Sequence, residues 1–300
     1  MTARTDAVAR PRVAFALSGG GAHGAAQVGM VQALLGAGIT PDVIVGCSVG
    51  ALNAVYVAAD PTAGAAERLA DLWRSLSRRD VFGSPRRRTL LNALARRDHV
   101  YENTALLQLI DRICPVRDLA DLHVETHIVT TDLDAAHPVW WTSGPAHDIL
   151  AASTCLPGVF APVVLPGEHG SSRHVDGGVC APIPVAYAAS LDVDVVYVLD
   201  VARGTAPAPV RLNAMEVLLR SFSISRYANV PDAAAVARPG QEIVYLPSPD
   251  TFGRDMRDFS NSAVYIDEAR TAAAEMLASR PAPAEGERGS WLHRFKRTAA

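Results

Sequence analysis

Apolar residues along this chain fall into two recurring patterns. Short, nearly uninterrupted runs, VAFAL (13–17) and DVIVGCS (42–48), predict strands buried on both faces. Between them Val28, Val31, Leu34 and Leu35 recur at helical spacing over 25–37, and Gly36, Gly38 and Pro41 supply the stop. VGALNAVYVAA (49–59) is apolar on most sides, as a covered helix would be. Further on, ETHIVTTDL (125–133), HPVWWT (137–142), DVDVVYVLDV (192–201) and EIVYL (242–246) predict strands. Helical patterns lie at 146–154, about 211–225 and about 260–279. Strands that alternate with helices in this way predict an α/β fold around a mainly parallel sheet.

The same pattern divides the chain. Residues 1–11 read as a loose leader, 12–279 as one catalytic-size domain, and 280–300 as a linker followed by a basic-aromatic tail, WLHRFKRTAA. Within the domain, 64–112 is helical and rich in arginine. A solvated helical face explains that stretch most simply; a cap that meets anionic head groups is the alternative. Trp291, Leu292 and Phe295, interleaved with cations, give the tail the composition of a short interfacial anchor or of a frayed end. A peripheral contact with the inner membrane surface is therefore an expectation.

Composition narrows the function classes. A formal charge of −3 gives no reason to expect nucleic acid as a partner. The four cysteines lack C-x-x-C spacing and are expected to be reduced, buried thiols of a cytoplasmic protein. The opening MTARTDAVARPR has no apolar core of the signal-peptide kind, and no window reaches the length of a transmembrane helix.

Three short motifs carry chemistry. Gly19-Gly20-Gly21-Ala22-His23-Gly24 satisfies G-x-G-x-x-G, which suits either a pyrophosphate cradle or a set of amides around a developing oxyanion. Gly46-Cys47-Ser48-Val49-Gly50 satisfies G-x-S-x-G between a strand and a helix, the setting of a nucleophile elbow. Asp176-Gly177-Gly178 follows an extended stretch and would fix a carboxylate at a sheet edge, where partial withdrawal from water makes it a better base. A dinucleotide site needs a ribose-binding carboxylate near the end of the second strand, and VGCSVG holds none.

In this order the motifs resemble the patatin-like phospholipase family. The likeness rests on LSGGGAHGAAQVGMVQALLGAGI, DVIVGCSVGALNA, ASTCLPGVFAPV and HVDGGVCAPIPV, and spans about residues 12–201. It implies a three-layer α/β/α fold and a Ser–Asp dyad that cleaves lipid esters without cofactor or metal. Ser48 would be the nucleophile and Asp176 the proton acceptor. Gly19, Gly20, Gly21 and Ala22 would form the oxyanion hole, with Gly20 and Gly21 the leading donors. His23, Gly24, Gly46, Gly50, Gly177 and Gly178 would support the motifs. His23 departs from the family's usual basic residue, most often arginine. Pro157, Phe160 and Pro162 are expected to line an acyl pocket. Three alternatives stand beside this reading: a triad using His127, His137, His147 or His174, a nucleotide-binding module built on the glycine loop, and a lipid binder without activity.

Overall fold

The computed structural model describes residues 10–83, 99–167, 170–201, 214–228, 232–251 and 254–280. In chain order its strands are β1 (Val13–Leu17), β2 (Val43–Cys47), β3 (His99–Tyr101), β4 (Glu125–Asp132), β5 (His137–Trp141), β6 (Gly158–Phe160), β7 (Val163–Gly167), β8 (Gly170–Asp176), β9 (Val195–Leu199) and β10 (Glu242–Tyr245). The helices begin with α1 (Ala25–Gly36), α2 (Val49–Ala59), α3 (Ala63–Ser75), α4 (Arg78–Phe82) and α5 (Thr104–Ile113). They continue with α6 (Ala146–Ser153), α7 (Val185–Ser190), α8 (Ala214–Ala228), α9 (Ala233–Val236) and α10 (Ser262–Ser279). Residues 1–9 of the leader, most of the tail, and Arg86, Arg87, Arg88, Arg96 and Arg97 of the basic stretch lie outside the described residues.

Strands β10, β9, β1, β2 and β4 pair in that order, all in parallel. β5 and β8 run antiparallel to β4, and β7 antiparallel to β8. Both faces of the parallel part are covered, which explains the unbroken apolar runs in its strands. Phe15 and Leu17 of β1 point into the larger core with α1, α2, α3 and α10. Ala14 and Ala16 join Val43, Val45, Val196 and Val198 against Val185 and Ala188 of α7. The result is the expected three-layer arrangement, with unequal helical layers.

Some expectations need correction. The 192–201 strand is confined to Val195–Leu199. The β7–β8 hairpin and the short parallel pair β3–β6 were not apparent as strands, because β7 carries Pro166 and β8 begins with polar residues. Cys47, Cys114 and Cys155 are buried as expected, but Cys180, just beyond the Asp-Gly-Gly turn, is exposed.

A buried chain of polar side chains crosses the larger layer. Trp73 Nε1 donates to Asn53 Oδ1 (2.9 Å), and Asn53 Nδ2 donates to Gln27 Oε1 (2.9 Å) and Gly24 O (3.0 Å). Gln27 Nε2 then donates to Ser18 O (2.7 Å) and Leu199 O (3.1 Å). This brace ties α3, α2 and α1 to the carboxyl ends of β1 and β9. Substituting Asn53→Leu strands the Trp73 N–H and Gln27 Oε1 in the core, at a cost of about 1–3 kcal/mol for each group left unpaired. The expected result is a clear fall in the urea midpoint; an unchanged midpoint would show that the brace contributes little.

Candidate active site

The parallel pairing of β1 and β2 places the glycine loop and the serine elbow side by side at the carboxyl edge of the sheet. Ser48 turns the chain from β2 into α2 with φ 53° and ψ −124°, a conformation that costs an L-residue about 1–3 kcal/mol. The turn is tight enough that a Cβ at Gly50 would stand 2.4 Å from Leu17 O and 2.6 Å from Ser18 O. Glycine at 50 therefore lets the first turn of α2 lie against the end of β1. Ser153 Oγ, on α6, accepts the Ser48 N–H at 3.0 Å and holds the elbow from the other side.

β4 brings the carboxylate to the serine. Its residues pair with β2 up to Cys47↔Val129, and with β8 from Thr130↔Asp176 onward. β5 pairs with Ile128 to Asp132 and so occupies one edge of that stretch. β2 and β8 must then share the other edge and meet tip to tip. Ser48 Oγ donates to Asp176 Oδ2 at 2.6 Å across that junction. The Gly178 N–H donates to Asp176 Oδ1 at 2.8 Å and fixes the carboxylate's rotation. Asp176 is fully buried, while Ser48 is half-buried and accessible from the cavity beside it.

The glycine loop turns as a short 3₁₀ segment, Gly21–Gly24. Its amides are not equivalent. The Gly19 N–H donates to Pro182 O (3.0 Å), that of Ala22 to Met256 O (2.7 Å) and that of His23 to Gly20 O (3.3 Å). The Gly20 and Gly21 amides make no hydrogen bond to any described residue. Gly21 adopts φ +59°, and a Cβ there would stand 2.4 Å from Met256 O.

Ser48 and Gly21 open onto a narrow cavity of about 60 Å³, walled chiefly by Trp73, Phe82, Leu109, Leu156, Phe160 and Phe259. Of the residues expected there, Phe160 lines it, whereas Pro157 and Pro162 do not. His23 does not line it either. Its buried ring packs edge-on against Tyr265 of α10, with centroids 5.8 Å apart. The contribution of 254–259 was missed because that loop carries no motif.

The four histidines considered for a triad serve different neighbours. His127 contacts Tyr187 Oη (3.0 Å) and Glu125 Oε1 (2.8 Å), His147 lies 3.5 Å from Asp111, and His137 is exposed on β5. His174 is fully buried in a second polar chain. Trp141 Nε1 donates to Thr130 Oγ1 (2.8 Å), which meets His174 Nδ1 (2.9 Å). His174 Nε2 meets Ser172 Oγ (2.9 Å), and Ser172 donates to Asp132 Oδ2 (2.7 Å). An indole can only donate and a carboxylate only accept. Ser172 spends its one proton on Asp132, so His174 carries a proton on Nε2; burial disfavours the doubly protonated ring, which leaves Nδ1 to accept from Thr130. Asp132, the last residue of β4, is buried at the end of this chain. Ser172, His174 and Asp176 alternate along β8, the one sequence signal that could have revealed it.

A sequence model described as "Patatin-like phospholipase" matches residues 15–189. The chain belongs to the patatin-like phospholipase family. Among relatives of this patatin-like chain, an uncharacterised NTE family protein of Mycobacterium tuberculosis is 31% identical over 201 residues, which are 67% of this chain and 52% of that protein. A protein named lysophospholipase nte1 from Aspergillus terreus is 30% identical over 197 residues, 63% of this chain and 12% of its own. The patatin-like chain thus spans about half the length of the mycobacterial relative. The crystal structure of VipD from Legionella pneumophila aligns with a TM-score of 0.42 at 13% identity, covering 88% of this chain and 67% of that one. No described helix is long and apolar enough to cross a membrane.

Burial pulls the His174 imidazole below its ordinary value of 6.5, against the opposing charges of Asp132 and Asp134. Its stabilising effect is therefore complete above pH 6.5. It is lost as pH falls toward the folded value, because the unfolded chain takes up a proton that the native one refuses. Urea unfolding between pH 7.5 and 5.5 is expected to show stability falling by up to about 1.4 kcal/mol per pH unit. Substituting His174→Gln should flatten that slope, and a slope that survives the substitution would assign it elsewhere.

Proposed function

We propose that this protein is a serine acyl hydrolase of lipid carboxylic esters, with Ser48 as nucleophile and Asp176 as base. The observation that carries the reading is the 2.6 Å hydrogen bond from Ser48 Oγ to Asp176 Oδ2 at the mouth of an apolar cavity. A serine hydroxyl is a weak nucleophile until a base in hydrogen-bond contact takes its proton. The Gly178 N–H holds one carboxylate oxygen so that the other faces the hydroxyl.

In the first half-reaction the ester's acyl chain occupies the cavity and its carbonyl carbon meets Ser48 Oγ. Asp176 takes the hydroxyl proton as the new C–O bond forms, and the carbonyl π electrons move onto oxygen. The Gly20 and Gly21 amides, which have no other described acceptor, donate to that oxyanion. This narrows the hole expected over Gly19 to Ala22, since Gly19 and Ala22 already donate to Pro182 and Met256. Collapse breaks the bond to the alcohol, which leaves with the proton from Asp176. In the second half, Asp176 takes a proton from water as its oxygen adds to the acyl carbon; collapse breaks the bond to Ser48 Oγ, which recovers that proton from Asp176, and the fatty acid is released.

A direct Ser–Asp contact favours this dyad over a histidine triad, because His174 is committed to Thr130 and Ser172. Ser48→Ala and Asp176→Asn are each expected to abolish p-nitrophenyl ester hydrolysis, and Ser48→Ala to abolish fluorophosphonate labelling. Full activity in either variant would refute the dyad. Gly21→Ala forces a Cβ against Met256 O and displaces one donor amide; its kcat is expected to fall about 100- to 1000-fold. A rate within a few-fold of wild type would remove Gly21 from the oxyanion hole.

A further inference from the structure

Ser48 and Asp176 are both held from outside by one short stretch of chain. Helix α6 ends at Ser153, and the chain winds on through Thr154 and Cys155. Ser153 Oγ accepts the Ser48 N–H at 3.0 Å, from 105 positions along the chain. Two residues later, Cys155 O accepts the Asp176 N–H at 2.9 Å. The backbones of nucleophile and base are thus anchored to the same three residues.

That stretch is itself firmly fixed. The Thr154 N–H and Oγ1 both donate to Leu150 O, at 3.0 and 2.7 Å, and the Cys155 N–H donates to Ala152 O at 3.1 Å. Cys155 Sγ donates to Ala161 O, just past β6, at 3.0 Å. Ser153 and Cys155 are fully buried. Two residues of chain reach at most about 7 Å even when extended, so the stretch limits how far the two anchored amides can part. Asp176 has further supports of its own, since Thr131 Oγ1 donates to its carbonyl at 3.0 Å and the Gly178 N–H to its carboxylate at 2.8 Å. Ser48 stands in a strained conformation, φ 53°, which persists only where the surroundings over-determine it. The bond to Ser153 is such a restraint, and it comes from a different element.

We propose that Ser153 is a positioning residue for the dyad: its Oγ holds the Ser48 backbone in the elbow and, with the Cys155 carbonyl, keeps the hydroxyl 2.6 Å from Asp176. The inference rests on the Ser–Asp reading and adds to it a residue that touches neither the substrate nor the transferred proton. A proton passes from Ser48 Oγ to Asp176 in the first half-reaction and returns in the second. A loosened contact therefore slows both halves.

The test uses Ser153→Ala, which removes the acceptor, and Ser153→Cys, which keeps a similar size with a much weaker acceptor. Rates on a short p-nitrophenyl ester are expressed per Ser48 labelled at completion by fluorophosphonate, so that only assembled sites are counted. In Ser153→Ala, kcat is expected to fall about 10-fold, the effect of one buried hydrogen bond. Its KM is expected to stay within about two-fold of wild type, because both halves slow together. The rate constant for fluorophosphonate labelling should fall by the same factor as kcat, and Ser153→Cys should lie nearer to alanine than to wild type. A lower urea midpoint with kcat per labelled site unchanged would make Ser153 merely structural and overturn the proposal. So would a loss confined to KM, since Thr154 and Leu156 of the same stretch line the cavity and a packing disturbance would act on acyl binding. Ser153→Cys as fast as wild type would assign any alanine effect to lost volume and overturn it equally. If Ser153→Ala does not fold, Ser153→Cys carries the same comparison. Wild-type protein that cleaves no ester rejects the hydrolase reading beneath, whereas active wild type with unaffected variants rejects the role of Ser153 alone.

Discussion

Everything distinctive in this molecule depends on one short hydrogen bond between residues 128 positions apart, Ser48 Oγ to Asp176 Oδ2. The bond requires a parallel strand and an antiparallel one to stop at the same place. β4 supplies that place, because Val129 is the last partner of β2 and Thr130 the first of β8. A slip of one residue in either pairing would also turn the alternating side chains to the opposite face. The register of β4 is thus a constraint on chemistry as much as on folding.

Two buried polar chains reinforce that register. Each begins at an indole N–H, which can only donate, and passes through side chains to a terminal acceptor. The Trp73 chain ends on the backbone carbonyls of Ser18 and Leu199, at the base of the glycine loop. The Trp141 chain ends on Asp132 and joins the two strands that present Asp176. Fixed ends give each chain one direction of donation. Fully satisfied networks of this kind specify a single core arrangement, and half-satisfied ones are costly.

The parallel half of the fold and the serine elbow were legible in the sequence for a physical reason. Strands covered on both faces must be apolar throughout, as VAFAL and DVIVGC are, and the elbow must have glycines at 46 and 50 to fit. The glycine loop and Asp176 were legible as motifs of the resemblance. The β7–β8 hairpin was not, because its exposed face and Pro166 break the alternation that marks a strand. Arg257, Met256 and Phe259 were equally hidden. They reach the site through the tertiary path of a loop far along the chain, and nothing local in DMRDFS signals that Met256 O would clamp Ala22. Asn53 and Gln27 are single polar positions on apolar helices, and only their tertiary pairing gives them a role.

The backbone at Ser48 carries a consequence for the economy of the whole protein. With φ 53° and ψ −124°, the nucleophile sits where a residue without a Cβ would be more comfortable. Selection for reactivity and selection for robustness therefore pull in opposite directions at this one position. Glycine there would relax the elbow and lose the nucleophile, whereas alanine would lose the nucleophile and keep the strain. An inert form made to capture bound lipid gains thermal resilience from the first exchange and not from the second.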